Sequence, residues 1–190
     1  GAGASLCAVK DGKSYNTSMG LTPLAGVMMS ARCGDIDASV IDYLDENLHM
    51  SIKDITNMLN KKSGLLGVSG VSGDMRDVKA AADEGNERAK LAIDIFIRRV
   101  ADYIGKYFVQ LGKVDAISFT AGIGENAPWV RKLILEAVGQ ALGIVIDDDA
   151  NENGKGERLI SAPESKVKVY VIPTNEELVI ARDAKKILNL

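Results

Sequence analysis

Phe119-Thr120-Ala121-Gly122-Ile123-Gly124-Glu125-Asn126 is the stretch on which the fold turns. Residues 116–119 form a short apolar run that reads as a buried strand. Glycines then break it, and Pro128 opens a helix over residues 128–142, where a first-turn proline has no needed amide to lose. Junctions of this kind are where α/β folds hold ligands. Glycine lets a ligand approach the main chain, turn amides are free to donate, and a helix N-terminus favours negative charge. Gly-x-Gly by itself is a weak signal. The dinucleotide fingerprint needs a third glycine three positions on, where this chain has Ala127. The segment reads equally as a plain strand-to-helix turn capped by Glu125 and Asn126.

On the N-terminal side of this junction lies the strongest helix pattern, residues 86–111. Ala89, Ile93, Phe96, Ile97, Val100, Ile104, Phe108 and Leu111 recur at three- and four-residue spacings, and Gly112 stops the run. Earlier still, residues 5–9 and 14–18 predict two strands around the tight turn Asp11-Gly12. Residues 19–37 predict a structured loop with a short helix beginning near Pro23. Residues 39–48 and 51–60 predict helices, the second opened by Ser51 with Asp54 in a capping-box arrangement. On the C-terminal side, residues 147–164 are acidic and polar, a mobile surface loop on composition. Residues 166–172 predict a strand and residues 176–188 a closing helix. Strands followed by helices interleaved with strands give an α/β domain with a mixed β-sheet and flanking helices.

The 190 residues suit one sizeable domain with a real core, or at most two small ones, and we take residues 1–190 as a single unit. With 23 Lys and Arg against 26 Asp and Glu, the charge of −3 argues against a nucleic-acid binder. No apolar run reaches the ~18 residues of a membrane span, and no signal-peptide pattern opens the chain. Cys7 and Cys33 have no metal-site spacing and make no disulfide framework, so a cytoplasmic setting is expected. The chain starts Gly1-Ala2-Gly3 without Met, which reads as a processed or cut start.

Three further segments pair glycine or small residues with charge. In Ser69-Gly70-Val71-Ser72-Gly73-Asp74-Met75-Arg76-Asp77, Asp74 can accept from ribose hydroxyls and Arg76 can stack on a base. Alternatively, Asp74 caps a helix over 75–83 and Arg76 pairs with a surface acid. In Ser30-Ala31-Arg32-Cys33-Gly34-Asp35-Ile36-Asp37, small neighbours leave the Arg32 fork free for phosphate or carboxylate. Asp35 and Asp37 there suit helix capping better than a metal; Arg32 could lower the Cys33 pKa, but no base stands beside that thiol. In Pro173-Thr174-Asn175-Glu176-Glu177 an acid can hold Mg²⁺, or the pair simply complements a helix dipole. His49, alone between two helices, reads as ordinary packing. No Walker lysine motif is present, so any nucleotide is held without a P-loop.

Taken together and in order, these segments resemble the acetate kinase family. The motifs are Met19-Gly20-Leu21-Thr22-Pro23-Leu24, Arg32-Cys33-Gly34-Asp35-Ile36-Asp37, Asp74-Met75-Arg76, residues 119–126, and Val171-Ile172-Pro173-Thr174-Asn175-Glu176-Glu177-Leu178. The resemblance covers essentially the whole chain, but only the C-terminal half of the family's protein. It implies a ribonuclease-H-like domain of the actin, Hsp70 and sugar-kinase superfamily, the nucleotide-binding half of a two-domain kinase. The implied reaction moves the ATP γ-phosphoryl group to acetate, reversibly giving acetyl phosphate and ADP, with Mg²⁺ or Mn²⁺. Asp74, Met75 and Arg76 correspond to one adenosine loop, and Gly122, Ile123, Gly124, Glu125 and Asn126 to the other. Glu176 corresponds to the metal-associated glutamate and Arg32 to the catalytic arginine. Gly1 and Gly3 correspond to a phosphate-binding Gly-Asn-Gly, with Ala2 where the family has Asn. Cys33 stands where a Ser is usual. The resemblance further implies a homodimer formed through this half, and a fragment inactive alone because the family's site also draws on the other half. A propionate kinase domain, or a module whose main role is self-association, are the alternatives.

Overall fold

The computed structural model describes residues 3–188, with the backbone but not the side chain of Glu176. The chain divides into two compact units, which we treat separately. One holds the residues up to Val114 together with Leu133–Gln140, and the other Asp115–Lys132 and the residues from Ala141 on.

The first unit opens with strands β1 (Cys7–Lys10) and β2 (Lys13–Thr17), paired antiparallel with a register shift between Ala8 and Val9. Asp11 and Gly12 both have positive φ, 52° and 73°, so the two-residue turn twists with its strands as anticipated. Residues 19–38 contain turns but no helix, which corrects the expectation near Pro23. The Thr22 hydroxyl accepts from the Leu24 amide at 3.3 Å, a local turn that competes with helix formation. Long-range bonds then fix the segment: the Gly26 amide reaches the Asp35 carboxylate at 2.8 Å, and the Asp35 amide reaches the Gly26 carbonyl at 2.8 Å.

Helices α1 (Ser39–Leu48) and α2 (Ile52–Lys61) follow as expected. His49 ends α1 in the left-handed conformation, φ 50°. Ser51 caps α2 by accepting from the Asp54 amide, while its hydroxyl donates to the Asp54 carboxylate at 2.6 Å. Helix α3 (Gly64–Ser69) was not anticipated. Helix α4 (Met75–Asp83) begins at Asp74, and α5 (Glu87–Leu111) at Asn86, whose side chain accepts from the Ala89 amide. The 25 residues of α5 make it the spine of the unit, packed against α3, α4 and β1. Its stripe of Ala89, Ile93, Phe96, Ile97, Val100 and Ile104 is buried, and each large member contributes roughly 1.5–3 kcal/mol by leaving water. Tyr103, also buried on α5, donates to the Asp35 carboxylate and so pins residues 19–38 to the spine. The burial and that bond raise the Tyr103 pKa to about 12.

The second unit is built on β5 (Lys168–Val171), which pairs parallel with β3 (Ala116–Phe119) and antiparallel with β4 (Arg158–Leu159). The order β3-β5-β4 is a mixed sheet. Burial belongs to Val169 and Val171 of β5; β3, at the edge of the sheet, alternates exposed and half-buried residues and is not the buried strand expected. Short helix α6 (Ala121–Asn126) and the start of α7 (Pro128–Leu142) follow β3, and α9 (Glu176–Leu188) follows β5. The acidic segment 147–164 is ordered, against expectation. Asp147 caps α8 (Asp148–Asn153) through the Ala150 amide, Ile146 bridges to Ser161, and Asn151 and Ile160 are fully buried. Composition misled here because the acidic residues occupy the outer face of a helix whose inner residue is a buried asparagine.

Candidate functional site

In the first unit, Arg32 sits on a turn closed by the Met29 amide bonding the Arg32 carbonyl at 3.1 Å. The start of α3 clasps that turn from outside. The amides of Ser63, Leu65 and Leu66 bond the carbonyls of Ala31, Met29 and Ser30, each at 2.9 Å. Gly64, at φ 64°, is required at the crossing, since a Cβ there would collide with the Met29 carbonyl. Among the described residues the Arg32 fork has only long contacts, Nη1 to the Pro23 carbonyl at 3.5 Å and to Met29 Sδ at 3.8 Å. Its backbone is fixed while its guanidinium keeps most of its donors for a ligand. A Cβ at Gly3 would lie 3.2 Å from Arg32 Nη1, so Gly3 and Arg32 are neighbours. Gly1 lies outside the described residues.

The Asp74 segment packs on the same turn, for a Cβ at Gly73 would collide with the Ser30 hydroxyl. Asp74 caps α4, its Oδ1 accepting from the Arg76 amide at 2.9 Å. The same carboxylate takes Arg76 Nε at 3.0 Å and Nη2 at 2.6 Å. Bonding to Arg76 holds the Asp74 pKa down at about 2. The helix-cap reading therefore holds, with Arg76 pairing to its own cap, while the Arg76 side chain stays 89% exposed. Met75 is buried and anchors the start of α4.

Neighbouring polar residues take other roles. Asp35 bonds Gly26 and Tyr103 instead of capping α1, and Asp37 accepts from the Ser39 amide at 2.9 Å at the start of that helix. The Cys33 thiol is pushed up, chiefly by burial, so a thiolate activated by Arg32 is not what the structure contains.

In the second unit, residues 122–126 form α6 with every carbonyl from Gly122 to Glu125 bonded. Asn126 Nδ2 reaches the Gly122 carbonyl at 2.9 Å, the Ala127 amide reaches Ile123, and Arg131 Nη1 reaches both Gly124 and Glu125 at 2.9 Å. Before them, Ala121 has φ 56°, left-handed for a residue with a side chain. A Cβ on Gly122 would meet nothing, so open space lies against the chain there. The Glu125 carboxylate accepts from the Thr174 amide at 2.9 Å, which joins this loop to the one leading into α9. Asn175 caps α9 through the Leu178 amide, and Glu176 stands at its first position.

Mg²⁺ is commonly held by one or two carboxylates, water and substrate phosphates. Among the described residues no group of three or more potential ligands gathers.

Arg131 escaped the sequence reading. Its signal was present: it shares a helical stripe with Leu135, Val138 and Leu142, all buried, and an arginine in such a stripe must find acceptors inside.

Among the described residues no helix is long and apolar enough to cross a membrane. A family model described as the acetokinase family matches residues 1–182. The chain is 56% identical over 188 residues to the acetate kinase of Acetivibrio thermocellus, covering 99% of this chain and 47% of that protein. The crystal structure of Porphyromonas gingivalis acetate kinase is similar at TM-score 0.92 and 45% identity, over 98% of this chain and 47% of the other. A propionate kinase from Francisella tularensis follows at TM-score 0.89 and 48% identity, over 95% and 46%. The chain thus spans about half the length of the curated relatives it matches. Its α/β fold, with a mixed sheet and flanking helices, is that of the actin, Hsp70 and sugar-kinase superfamily. By sequence along nearly its whole length and by structure, the chain belongs to the acetokinase family.

Proposed function

We propose that residues 1–190 are the nucleotide-binding C-terminal half of an acetate kinase, acting in the cytoplasm and pairing with a second copy through this half. The observation that carries the reading is the Arg32 turn: a backbone locked by the amides of Ser63, Leu65 and Leu66 at the start of α3 presents a guanidinium with almost no partner among the described residues. In the full enzyme an acetate oxygen attacks the γ-phosphorus and the bond to the β-phosphate oxygen breaks, leaving acetyl phosphate and ADP. Negative charge spreads over the equatorial oxygens of the transferring group. A fixed guanidinium stabilises it without reorganising, on the order of 10³-fold in rate or more for arginines so placed. The exposed face of Arg76 stacks on the base, and the Asp74 carboxylate has lone pairs left for the ribose. Residues 122–126 line the nucleotide where Gly122 leaves space, and Gly3, with Gly1, borders the phosphates. Bound Mg²⁺ supplies neutralising charge on the phosphates, and Glu176 is the residue to hold it. The Francisella propionate kinase favours a second reading in which the acceptor is propionate.

Calorimetry with Mg-ATP on the chain and on its Asp74→Ala and Gly122→Val variants tests the nucleotide assignment. Binding is expected for the chain and lost in both variants. The Val side chain at 122 begins in empty space, so its effect reads as blocked access more than as a packing clash. Identical titrations without heat for all three proteins would refute the assignment.

A further inference from the structure

We propose that Arg131 is a positioning residue that holds the loop 122–126 in its ligand-ready shape; the proposal rests on the nucleotide reading above. Arg131 is 1% exposed, the largest of the fully buried side chains. A buried cation normally meets a carboxylate. Here all four hydrogen bonds go to neutral oxygens. Nη1 takes the Gly124 and Glu125 carbonyls at 2.9 Å each, Nε takes Asn151 Oδ1 at 2.8 Å, and Nη2 takes the Asn151 carbonyl at 2.7 Å. One planar fork thus ties two consecutive loop carbonyls to a single asparagine.

That asparagine is itself immobile. Asn151 is 0% exposed, its Nδ2 donates to the Pro128 carbonyl at 3.1 Å, and its amide bonds the Asp147 carbonyl at 2.9 Å. Arg158 bonds the adjacent Ala150 carbonyl at 3.0 Å, fixing the same helix from another side. The loop has little else of its own to keep its form. It is a six-residue helix entered through a left-handed Ala121, with two glycines and no buried residue. Burial, with Arg158 adding to it, lowers the Arg131 pKa to about 10, still above neutrality, so the fork keeps all its donors.

The arrangement needs arginine for its geometry. A lysine ammonium at the same place has three donors on one atom and does not span loop and asparagine together. It is also distinct from a stabilising core contact, because the bonds end on the backbone of the segment assigned to the ligand. From there the Glu125 carboxylate passes the constraint on to Thr174.

The test compares the chain with Arg131→Lys and Asn151→Ala by amide hydrogen exchange and by Mg-ATP titration. Exchange at residues 121–127 is expected to rise about tenfold or more in both variants while the α5 amides keep their protection, and Mg-ATP binding is expected to weaken about tenfold. A folded Arg131→Lys with wild-type exchange at 121–127 and wild-type affinity overturns the proposal. Should Arg131→Lys not fold, Asn151→Ala, which removes one acceptor of four, decides under the same two outcomes. If the unmodified chain binds no nucleotide, the nucleotide reading fails on its own account. The exchange data then still decide whether Arg131 holds the loop.

Discussion

Asp74 shows how much one side chain does before any ligand arrives. Its carboxylate ends a helix, pairs with Arg76 and, with a pKa of about 2, stays charged well below the usual 3.8. Since the folded value lies below the unfolded one, the helix start gains from this charge above about pH 4. It loses that gain as the pH falls towards 2. A carboxyl-carbon titration by NMR should place the Asp74 midpoint near 2, moving with the Arg76 amide; a midpoint near 3.8 would mean that the pair does not persist in solution. The sequence raised both roles of Asp74, cap and ligand, and could not choose, because an N-cap and a sugar-binding acid use the same atoms. The apolar stripe marked Arg131 as buried but could not name its partners, since three of its four bonds end on main-chain carbonyls, which carry no residue identity to recognise.

Helices of different length were unequally legible. Helix α5 repeats its apolar stripe over 25 residues and announces itself, whereas α3, α6 and α8 have six residues each, under two turns. Helices that short hold together by tertiary bonds, not by propensity, so a periodicity search passes over them. The failure mattered most at α3, the element that fixes Arg32. Two glycines make the contrast measurable. Gly64→Ala should destabilise the chain by about 1–2 kcal/mol from the left-handed backbone alone, and further through its clash with Met29. Gly105, exposed inside α5 where a Cβ meets nothing, should gain about 0.5–1 kcal/mol as alanine. Urea melts of both variants read the difference; equal midpoints would remove the clasp of α3 on the Arg32 turn from the account.

At the scale of the molecule, the motif order and the family were readable from the sequence, and so was the match to only half of a longer protein. Length allowed one domain or two small ones; the structure has two compact units, one built on a long helix and one on a three-stranded sheet. On α9, Val179, Ile180 and Ile187 are more than half exposed, apolar surface of a kind that stable domains usually cover. The chain alone should give no acetyl phosphate from Mg-ATP and acetate in a hydroxamate assay. Joined to the remaining half found in its relatives it should turn over, and Arg32→Ala should then cut the rate by about 10³-fold. Turnover by the isolated chain would show that the second half is dispensable for chemistry.

Ala121 has a consequence for how this protein is best surveyed. A left-handed alanine costs about 1–2 kcal/mol, and replacing it by glycine relieves that strain while loosening the unfolded chain by a comparable ~0.4–1 kcal/mol. The two effects partly offset, so a melting temperature understates the strain that glycine relieves at the residue that enters the loop. Scans scored by abundance or thermal survival will therefore read Ala121→Gly as a small gain, and its effect on the loop's shape will surface only in screens that report on the loop itself.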